Sequence, residues 1–263
     1  MKLGVNIDHI AVLKAARKVG DPDVLQAVFV AAQNGADQIT IHLREDRRHI
    51  DDYDAKRIVA NSPIAVNMEC AFGVIDEVLK LRPFRATLVP EKREEVTTEG
   101  GLDLEKHFAR IKRTVERLKE ADIAVSLFVE PSKAAADLAL RSGADMIELH
   151  TGRFSNLWAA LYGVLARTPY APNDLTALNG GDLKREIDRE IKKIKKTAAF
   201  ARELGLQVAA GHGLNYHNVA AIAAIEAIEE LNIGQSIVAR AIWTGFGVAA
   251  REMAQLIAAC RPR

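Results

Sequence analysis

Histidines and carboxylates stand at the ends of short apolar runs in this chain, and these residue types are suited to proton transfer. His42 ends one such run, and Glu69 ends another, beside Met68 and Cys70. An imidazole whose pKa is near neutrality can exchange protons with a substrate, and partial burial raises the pKa of a carboxyl enough to make it a usable base. Groups of this kind act together only if the fold brings them to one place.

Eight short β-rich runs recur along the chain, and most are followed by a longer apolar-periodic stretch. The predicted strands are residues 3–7, 38–43, 64–69, 86–90, 124–129, 146–151, 207–211 and 231–234. The predicted helices are residues 23–33, 74–81, 104–119, 134–141, 184–204 and 248–259, and Gly35, Gly143 and Gly205 have the sequence context of helix C-caps. This alternation, in a chain of 263 residues, predicts one α/β domain over residues 1–263, a (β/α)8 TIM barrel with extra helical segments.

The parity of each strand separates its two faces, because neighbouring side chains in a strand point to opposite sides. In the second strand, for example, Ile39 and Ile41 oppose Thr40 and His42. The aliphatic face is expected to meet the helices and the polar face to line the barrel, so Cys70 is interpreted as a packed residue rather than a nucleophile. The polar residues near the strand ends are Asn6, Asp8, His42, Glu69, Glu148 and His150. Active sites of such barrels lie at the C-terminal strand ends, which predicts one site there.

Four loops add candidate ligands for a phosphorylated substrate. After the second strand, Arg44 and His49 can hold phosphate or hydroxyl groups, whereas residues 45–47 are interpreted as a solvated turn. The loop at residues 89–101 supplies glycines and hydroxyls that can bind oxygens. The glycine-containing runs 210–214 and 232–236 follow strands seven and eight, the usual phosphate site of this fold. His212 in the first of these runs is either an acid or a structural turn residue.

Composition and charge exclude several classes of function. Hydrophobic residues make up 49% of the chain, and the formal net charge is +1, so no global field favours nucleic acid or an anionic membrane. The two cysteines, Cys70 and Cys260, lie far apart and fit no disulfide framework. The N-terminus enters a strand directly and shows no signal region, so a cytoplasmic protein is expected, neither secreted nor membrane-spanning.

The assembled motifs resemble the pyridoxine 5'-phosphate synthase family of the deoxyxylulose-dependent vitamin B6 pathway. The resemblance rests on residues 4–9, 42–50, 88–93, 95–101, 210–214 and 230–234, in order and spacing, and it covers nearly the whole chain. It implies condensation of 3-amino-2-oxopropyl phosphate with 1-deoxy-D-xylulose 5-phosphate to give pyridoxine 5'-phosphate, phosphate and water. It implies no metal and no organic cofactor, phosphorylated small molecules as the only partners, and a homo-oligomer, often an octamer.

The resemblance also implies roles for individual residues. His42 and Glu69 would be proton acceptors, His212 the proton donor, and Glu148 a stabiliser of charge in the transition states. The phosphate of the aminoketone would be held by Asn6, Arg17, Gly213 and the Gly234 region including Gln235. The deoxyxylulose phosphate would be held by Asp8, His9, Arg44, His49 and Thr97.

Two departures from the family pattern leave alternatives open. Gln235 stands where the family commonly has His, and it can donate a hydrogen bond but carries no charge. The segment 153–181 looks longer than usual and is either a lid or an oligomer contact. Two other functions therefore compete with the synthase: a non-catalytic barrel that binds phosphorylated ligands, and a metal-dependent hydrolase that uses Asp8, His42, His150 and His212.

Overall fold

Eight parallel strands form a closed barrel in the computed structural model, which describes residues 1–92, 95, 97 and 100–260. The strands are β1 (Lys2–Asn6), β2 (Gln38–Leu43), β3 (Ala65–Cys70), β4 (Arg85–Leu88), β5 (Ala124–Val129), β6 (Met146–His150), β7 (Gln207–Gly211) and β8 (Glu230–Ile233). Each strand pairs with its neighbours in sequence, and β8 pairs with β1. The predicted (β/α)8 barrel is confirmed, and β2, β5 and β7 have the predicted bounds.

Helices surround the barrel in the described part of the chain. They are α1 (Asp8–Arg17), α2 (Val24–Gln33), α3 (Asp52–Asn61), α4 (Ile75–Leu81), α5 (Leu104–Glu120), α6 (Lys133–Ser142), α7 (Gly152–Tyr162), α8 (Asn173–Thr176), α9 (Gly180–Glu203), α10 (Val219–Ala223), α11 (Gln235–Thr244) and α12 (Phe246–Ala259). The predicted helices correspond to α2, α4, α5, α6, α9 and α12. None of the described helices is both long enough and apolar enough to cross a membrane.

Two local features decide how the helices start and stop. Gly35, Gly143 and Gly205 have φ angles of 95°, 88° and 89°, as the C-cap prediction requires, since this left-handed region suits glycine. Asp8, however, is not a strand residue: β1 ends at Asn6 and α1 begins at Asp8. The prediction that strand alternation turns Asp8 inward was therefore wrong. Its carboxylate nevertheless lies at the strand ends, where it accepts the His42 N–H.

The strands separate an aliphatic layer from a polar barrel interior. Side chains such as Ile39 and Ile41 are fully buried in the core that the strands share with the helices. Inside the barrel, Arg85 Nη1 donates to Glu230 Oε1 at 2.8 Å, and the buried Asn232 extends this network toward the strand ends. The parity prediction is thus confirmed for these strands, and Arg85, Glu230 and Asn232 are paired with one another, whereas the buried Asn67 Nδ2 and Ser126 Oγ have no partner among the described residues.

Candidate active site

A cavity of about 580 Å³ opens where the carboxyl ends of the strands meet. Of the predicted site residues, Arg17 and Thr97 lie elsewhere, and the rest line this cavity: Asn6, Asp8, His9, His42, Arg44, His49, Glu69, Glu148, His212, Gly213, Gly234 and Gln235. Residues that are distant in sequence therefore surround one space large enough for a small substrate.

His42 is held at the mouth by neighbours on three sides. Its backbone N–H donates to Asp8 Oδ1 at 2.8 Å, its Nδ1 lies 3.8 Å from Glu69 Oε2, and its Nε2 lies 3.0 Å from Glu91 Oε1. A carboxylate accepts hydrogen bonds, so Glu91 favours the tautomer with hydrogen on Nε2. The lone pair of Nδ1 then faces the Glu69 side of the cavity.

Glu91 is a functional candidate that sequence reasoning missed. Besides His42, its carboxylate accepts the Glu45 N–H at 3.1 Å and lies 3.9 Å from Arg44 Nη2. Burial opposes its ionisation, but the hydrogen bonds from His42 and Glu45 outweigh burial and lower the pKa of Glu91. The sequence signal was a carboxylate shortly after the fourth strand, inside a loop that had been treated as a single polar unit.

Three other carboxyls share the barrel mouth, and their pKa values are raised. Burial is the main cause for Asp8 and outweighs its bond to the His42 N–H. Burial, followed by the charges of Glu148 and Asp8, raises the pKa of Glu69 well above its ordinary value, as predicted. Burial and the charge of Glu230 raise the pKa of Glu148 to about 7, against a 2.8 Å hydrogen bond from Asn232. Glu148 can therefore hold or release a proton close to neutral pH.

His212 lies across the mouth, on the turn after β7. Its backbone has a φ of 76°, and its ring packs at 4.7 Å and 88° against the ring of His150. Burial, and then the charge of His150, lowers the pKa of His212 to about 4. The imidazole is therefore neutral at pH 7 before any substrate arrives. His150, predicted at the mouth, is itself 8% exposed and packs behind His212 rather than lining the cavity.

A second group of basic residues lines the side of the mouth next to β2. The rings of His9 and His49 meet edge to face at 6.0 Å, and His49 lies 6.5 Å from His42. Burial, and then the charges of His42 and His9, lowers the pKa of His49 to about 4. The buried Nδ1 atoms of both His9 and His49 make no hydrogen bond within the described structure. They are available to an oxygen-rich ligand.

Glycines after β7 and β8 bring backbone close to the cavity. Gly213 has a φ of 82°, and a Cβ there would lie 2.6 Å from Ser155 Cβ. A Cβ at Gly234 would lie 2.8 Å from Asn6 Cβ. Gly234 is the N-cap of α11, whose first N–H groups have no partner within the helix and can bind an anion. The Gln235 side chain is exposed at this point and lines the cavity.

Two predicted ligands lie away from the cavity. Arg17 is exposed at the end of α1. Thr97 Oγ1 accepts the N–H groups of Gly100 and Gly101, and Thr97 lines a separate cavity of about 260 Å³. Residues 93, 94, 96, 98 and 99 of the same predicted loop lie outside the described residues.

The structure also tests the predictions made for the turn at residues 45–47, for Cys70 and for the segment 153–181. Glu45 and Asp46 are exposed, as expected for a solvated turn, whereas Arg47 is half-buried and its guanidinium donates to Arg44 O and Asp52. Cys70 is buried, which raises the pKa of its thiol and fits the prediction of a packed residue. The segment 153–181 forms α7, α8 and the start of α9, and none of its side chains lines the mouth cavity.

One group of described residues could hold a metal ion. Ligand atoms of Asp8, His42 and Glu69 lie within 4.8 Å of one another. The predicted metal set differs, because His150 and His212 form their own pair. The fold therefore does not gather the four predicted ligands into one cluster among the described residues.

Comparisons with known proteins agree with this arrangement. The profile of a family described as "Pyridoxal phosphate biosynthesis protein PdxJ" matches residues 3–259. The pyridoxine 5'-phosphate synthase of a Nitratiruptor species is 54% identical over 259 residues, covering 98% of this chain and 97% of that protein. That of Wolinella succinogenes is 53% identical, covering 98% of each.

Solved structures at low identity share the fold alone. The thiamine phosphate pyrophosphorylase of Pyrococcus furiosus is 13% identical with a TM-score of 0.59, covering 98% of this chain and 96% of that one. Phosphoribosyl anthranilate isomerase of Thermus thermophilus is 16% identical with a TM-score of 0.56, covering 99% and 100%. Function in this fold depends on the site rather than on the barrel.

Proposed function

The chain belongs to the pyridoxal phosphate biosynthesis protein PdxJ family, and we propose that its barrel mouth condenses 3-amino-2-oxopropyl phosphate with 1-deoxy-D-xylulose 5-phosphate. The products are pyridoxine 5'-phosphate, inorganic phosphate and water. The observation that carries this proposal is the convergence of His42, Glu69, Glu148 and His212 on one cavity in a chain of this family. The chain is a biosynthetic enzyme that acts on phosphorylated small molecules.

The reaction needs several proton transfers around one forming ring. Enolisation, loss of water and ring closure each remove or add a proton, so groups with different proton affinities are required. Glu69 and His42 act as proton acceptors in the proposal: Nδ1 of His42 carries the free lone pair, and ionised Glu69 is a strong base because burial disfavours its charge. Glu148, with a pKa of about 7, stabilises positive charge that develops in the transition states.

His212 is the proposed proton donor, and its state depends on the substrates. Burial, and then the charge of His150, lowers its pKa to about 4, so the ring is neutral at pH 7. Phosphorylated substrates bring negative charge into the cavity, and nearby negative charge favours the imidazolium. Substrate binding therefore prepares His212 to donate a proton only when there is something to protonate.

Two phosphate positions are proposed at the mouth. Asn6, Gly213, Gly234 and Gln235 hold the aminoketone phosphate, supported by the free N–H groups at the start of α11. Asp8, His9, Arg44 and His49 hold the deoxyxylulose phosphate and its hydroxyl groups, supported by the unpartnered Nδ1 atoms of the two histidines. Arg17 and Thr97 lie outside this cavity, so neither position includes them.

The test is an assay with both phosphates, using purified protein. We expect release of inorganic phosphate together with a pyridoxine-type chromophore, and neither product when one substrate is left out. His42→Ala and Glu69→Gln should each lower turnover by ~10² or more, the usual contribution of general acid–base catalysis. If the wild-type protein forms neither product from verified substrates, the proposal is rejected.

One observation favours a second candidate, a metal-dependent hydrolase. The cluster of Asp8, His42 and Glu69 has the geometry to hold a divalent cation. Stoichiometric zinc or manganese after gel filtration, with hydrolysis of phosphate esters, would support it. Synthase turnover that survives chelation would exclude a metal role in the condensation. Ligand binding without any turnover would instead support a non-catalytic barrel.

We also propose that the protein is a cytoplasmic homo-oligomer. Large apolar side chains are exposed outside the mouth, including Trp243, which is 87% exposed at the end of α11, and Tyr170, 84% exposed. Exposed apolar groups of this size are typical of contact surfaces. Light scattering after gel filtration should give a multiple of the 28.8 kDa chain mass, and a monomer would contradict the oligomer.

A further inference from the structure

A carboxylate–histidine pair lies behind His212, one layer away from the cavity. His150 Nδ1 lies 2.7 Å from Glu130 Oε1, and the same oxygen accepts the Gly101 N–H at 3.0 Å. The carboxylate therefore favours a His150 ring with hydrogen on Nδ1. Both side chains are largely buried, which makes the pair a fixed part of the fold rather than a surface contact.

The surrounding backbone leaves room for the His150 ring at two glycines. A Cβ at Gly152 would lie 2.4 Å from His150 Nε2, and a Cβ at Gly100 would lie 2.9 Å from its Cε1. Phe128 packs against the same ring at 5.0 Å. Elements after β4, β5 and β6 thus enclose one imidazole, so its orientation is closely defined.

His212 takes its orientation from this ring. The two imidazoles are perpendicular, with ring centroids 4.7 Å apart. The ring centroid of Phe128 lies 6.2 Å from that of His212. Thr151 Oγ1 lies 2.7 Å from the carbonyl oxygens of both Gly211 and His212, and its single hydroxyl hydrogen is shared between these two acceptors. The main chain of His212 is therefore anchored to the end of β6, and its ring rests on His150.

We propose that His150, held by Glu130, is a positioning residue that orients the imidazole of His212 and controls its charge during the reaction. This inference rests on the proposed function, in which His212 transfers a proton. Burial is the larger cause of the lowered pKa of His212 and the interaction with His150 adds to it, so the imidazole stays neutral until substrate phosphate arrives. Glu148 is a further ionisable group against this turn, and its Oε1 would lie 2.2 Å from a Cβ at Gly211.

Two substitutions separate the geometry of the pair from its charge. His150→Phe keeps an aromatic ring beneath His212 but removes the bond to Glu130 and the charge. Glu130→Gln keeps an acceptor for the Gly101 N–H but removes the carboxylate. Because small misplacements of a catalytic group can cost about 10²-fold in rate, we expect His150→Phe to lower kcat by about that factor. Glu130→Gln should cost less, and KM should stay within about threefold for both.

The charge of His212 can be measured without turnover. Protein labelled with ¹³C in the histidine rings can be titrated by NMR, with the His212 signal identified by its loss in His212→Gln. We expect the pKa of His212 to rise from about 4 in the wild type when His150 is replaced by Phe. The limb of the pH profile of kcat/KM that reports His212 should move in the same direction.

Glu105→Gln is a matched control, since Glu105 is an exposed carboxylate that lines the neighbouring cavity. It should leave kcat and the His212 titration unchanged. A His212 pKa that stays at the wild-type value in His150→Phe would overturn the proposal, as would a loss that falls on KM alone. Because the titration needs no substrate, a wild-type protein without synthase activity would refute the proposed function while the coupling of the two histidines is still measured.

Discussion

Replacing Glu148 by glutamine removes a carboxyl that the barrel interior holds close to neutrality. The substitution keeps the shape of the side chain and an oxygen that can accept the hydrogen bond from Asn232. It removes the possibility of a negative charge facing Glu230, which together with burial raises the pKa of Glu148. We therefore expect Glu148→Gln to be more stable than the wild type above neutral pH and much less active.

The size of this stability difference follows from the pKa of Glu148 in the folded protein and in the unfolded chain. The pKa of Glu148 is about 7 in the folded protein against an ordinary value of 4.5, which corresponds to about 3 kcal/mol of folding free energy. Below pH 4.5 the carboxyl is protonated in both states and costs nothing. As pH rises from there to about 7, the unfolded chain ionises first, so wild-type stability falls. Above about pH 7 the carboxyl is ionised in both states, and the loss of folding free energy is complete.

The assay is thermal and denaturant unfolding of both proteins from pH 4.5 to 8.5. The wild type should lose about 3 kcal/mol relative to Glu148→Gln across this range, which is a difference of roughly 6–12 °C in Tm for a chain of this size. Glu116→Gln, an exposed substitution on α5, is the control and should run parallel to the wild type. If Glu148→Gln also runs parallel to the wild type, the carboxyl is not desolvated as described and the reasoning fails.

Three further predictions concern neighbouring groups. Glu91→Gln should lower kcat by about 10²-fold in steady-state assays, because His42 loses the carboxylate that fixes its tautomer; an unchanged kcat would remove Glu91 from the site. Gly213→Ala should destabilise the protein by about 1–2 kcal/mol in denaturant unfolding, since φ is 82° there, and should raise KM; a wild-type KM would argue against a phosphate at this loop. Arg85→Met should cost about 3–5 kcal/mol, because Glu230 keeps a buried, unpaired charge; Arg85→Met with Glu230→Gln should recover part of that loss.

The strands and most of the cavity residues could be predicted from the sequence, and one physical property of strands explains why. Strand side chains alternate and parallel strands end at one edge, so the period of two that separates Ile41 from His42 also predicts which side chain turns inward. Asp8 shows the limit of this argument, because β1 stops at Asn6 and Asp8 starts α1. Its carboxylate reaches the site through a bond to the His42 N–H, which no periodicity encodes.

The sequence by itself determined the barrel, the residue types at its mouth and the family, since these depend on local patterns and on the order of motifs. Only the tertiary structure decided which side chains bond to the histidines of the site. Glu91 and Glu130 come from loops whose direction is set by packing, and they select the tautomers of His42 and His150. The proton affinities are likewise tertiary, because desolvation and the nearest charge depend on every element around a group. That is why burial and His150 lower the pKa of His212 to about 4, although its sequence context is only a histidine between glycines.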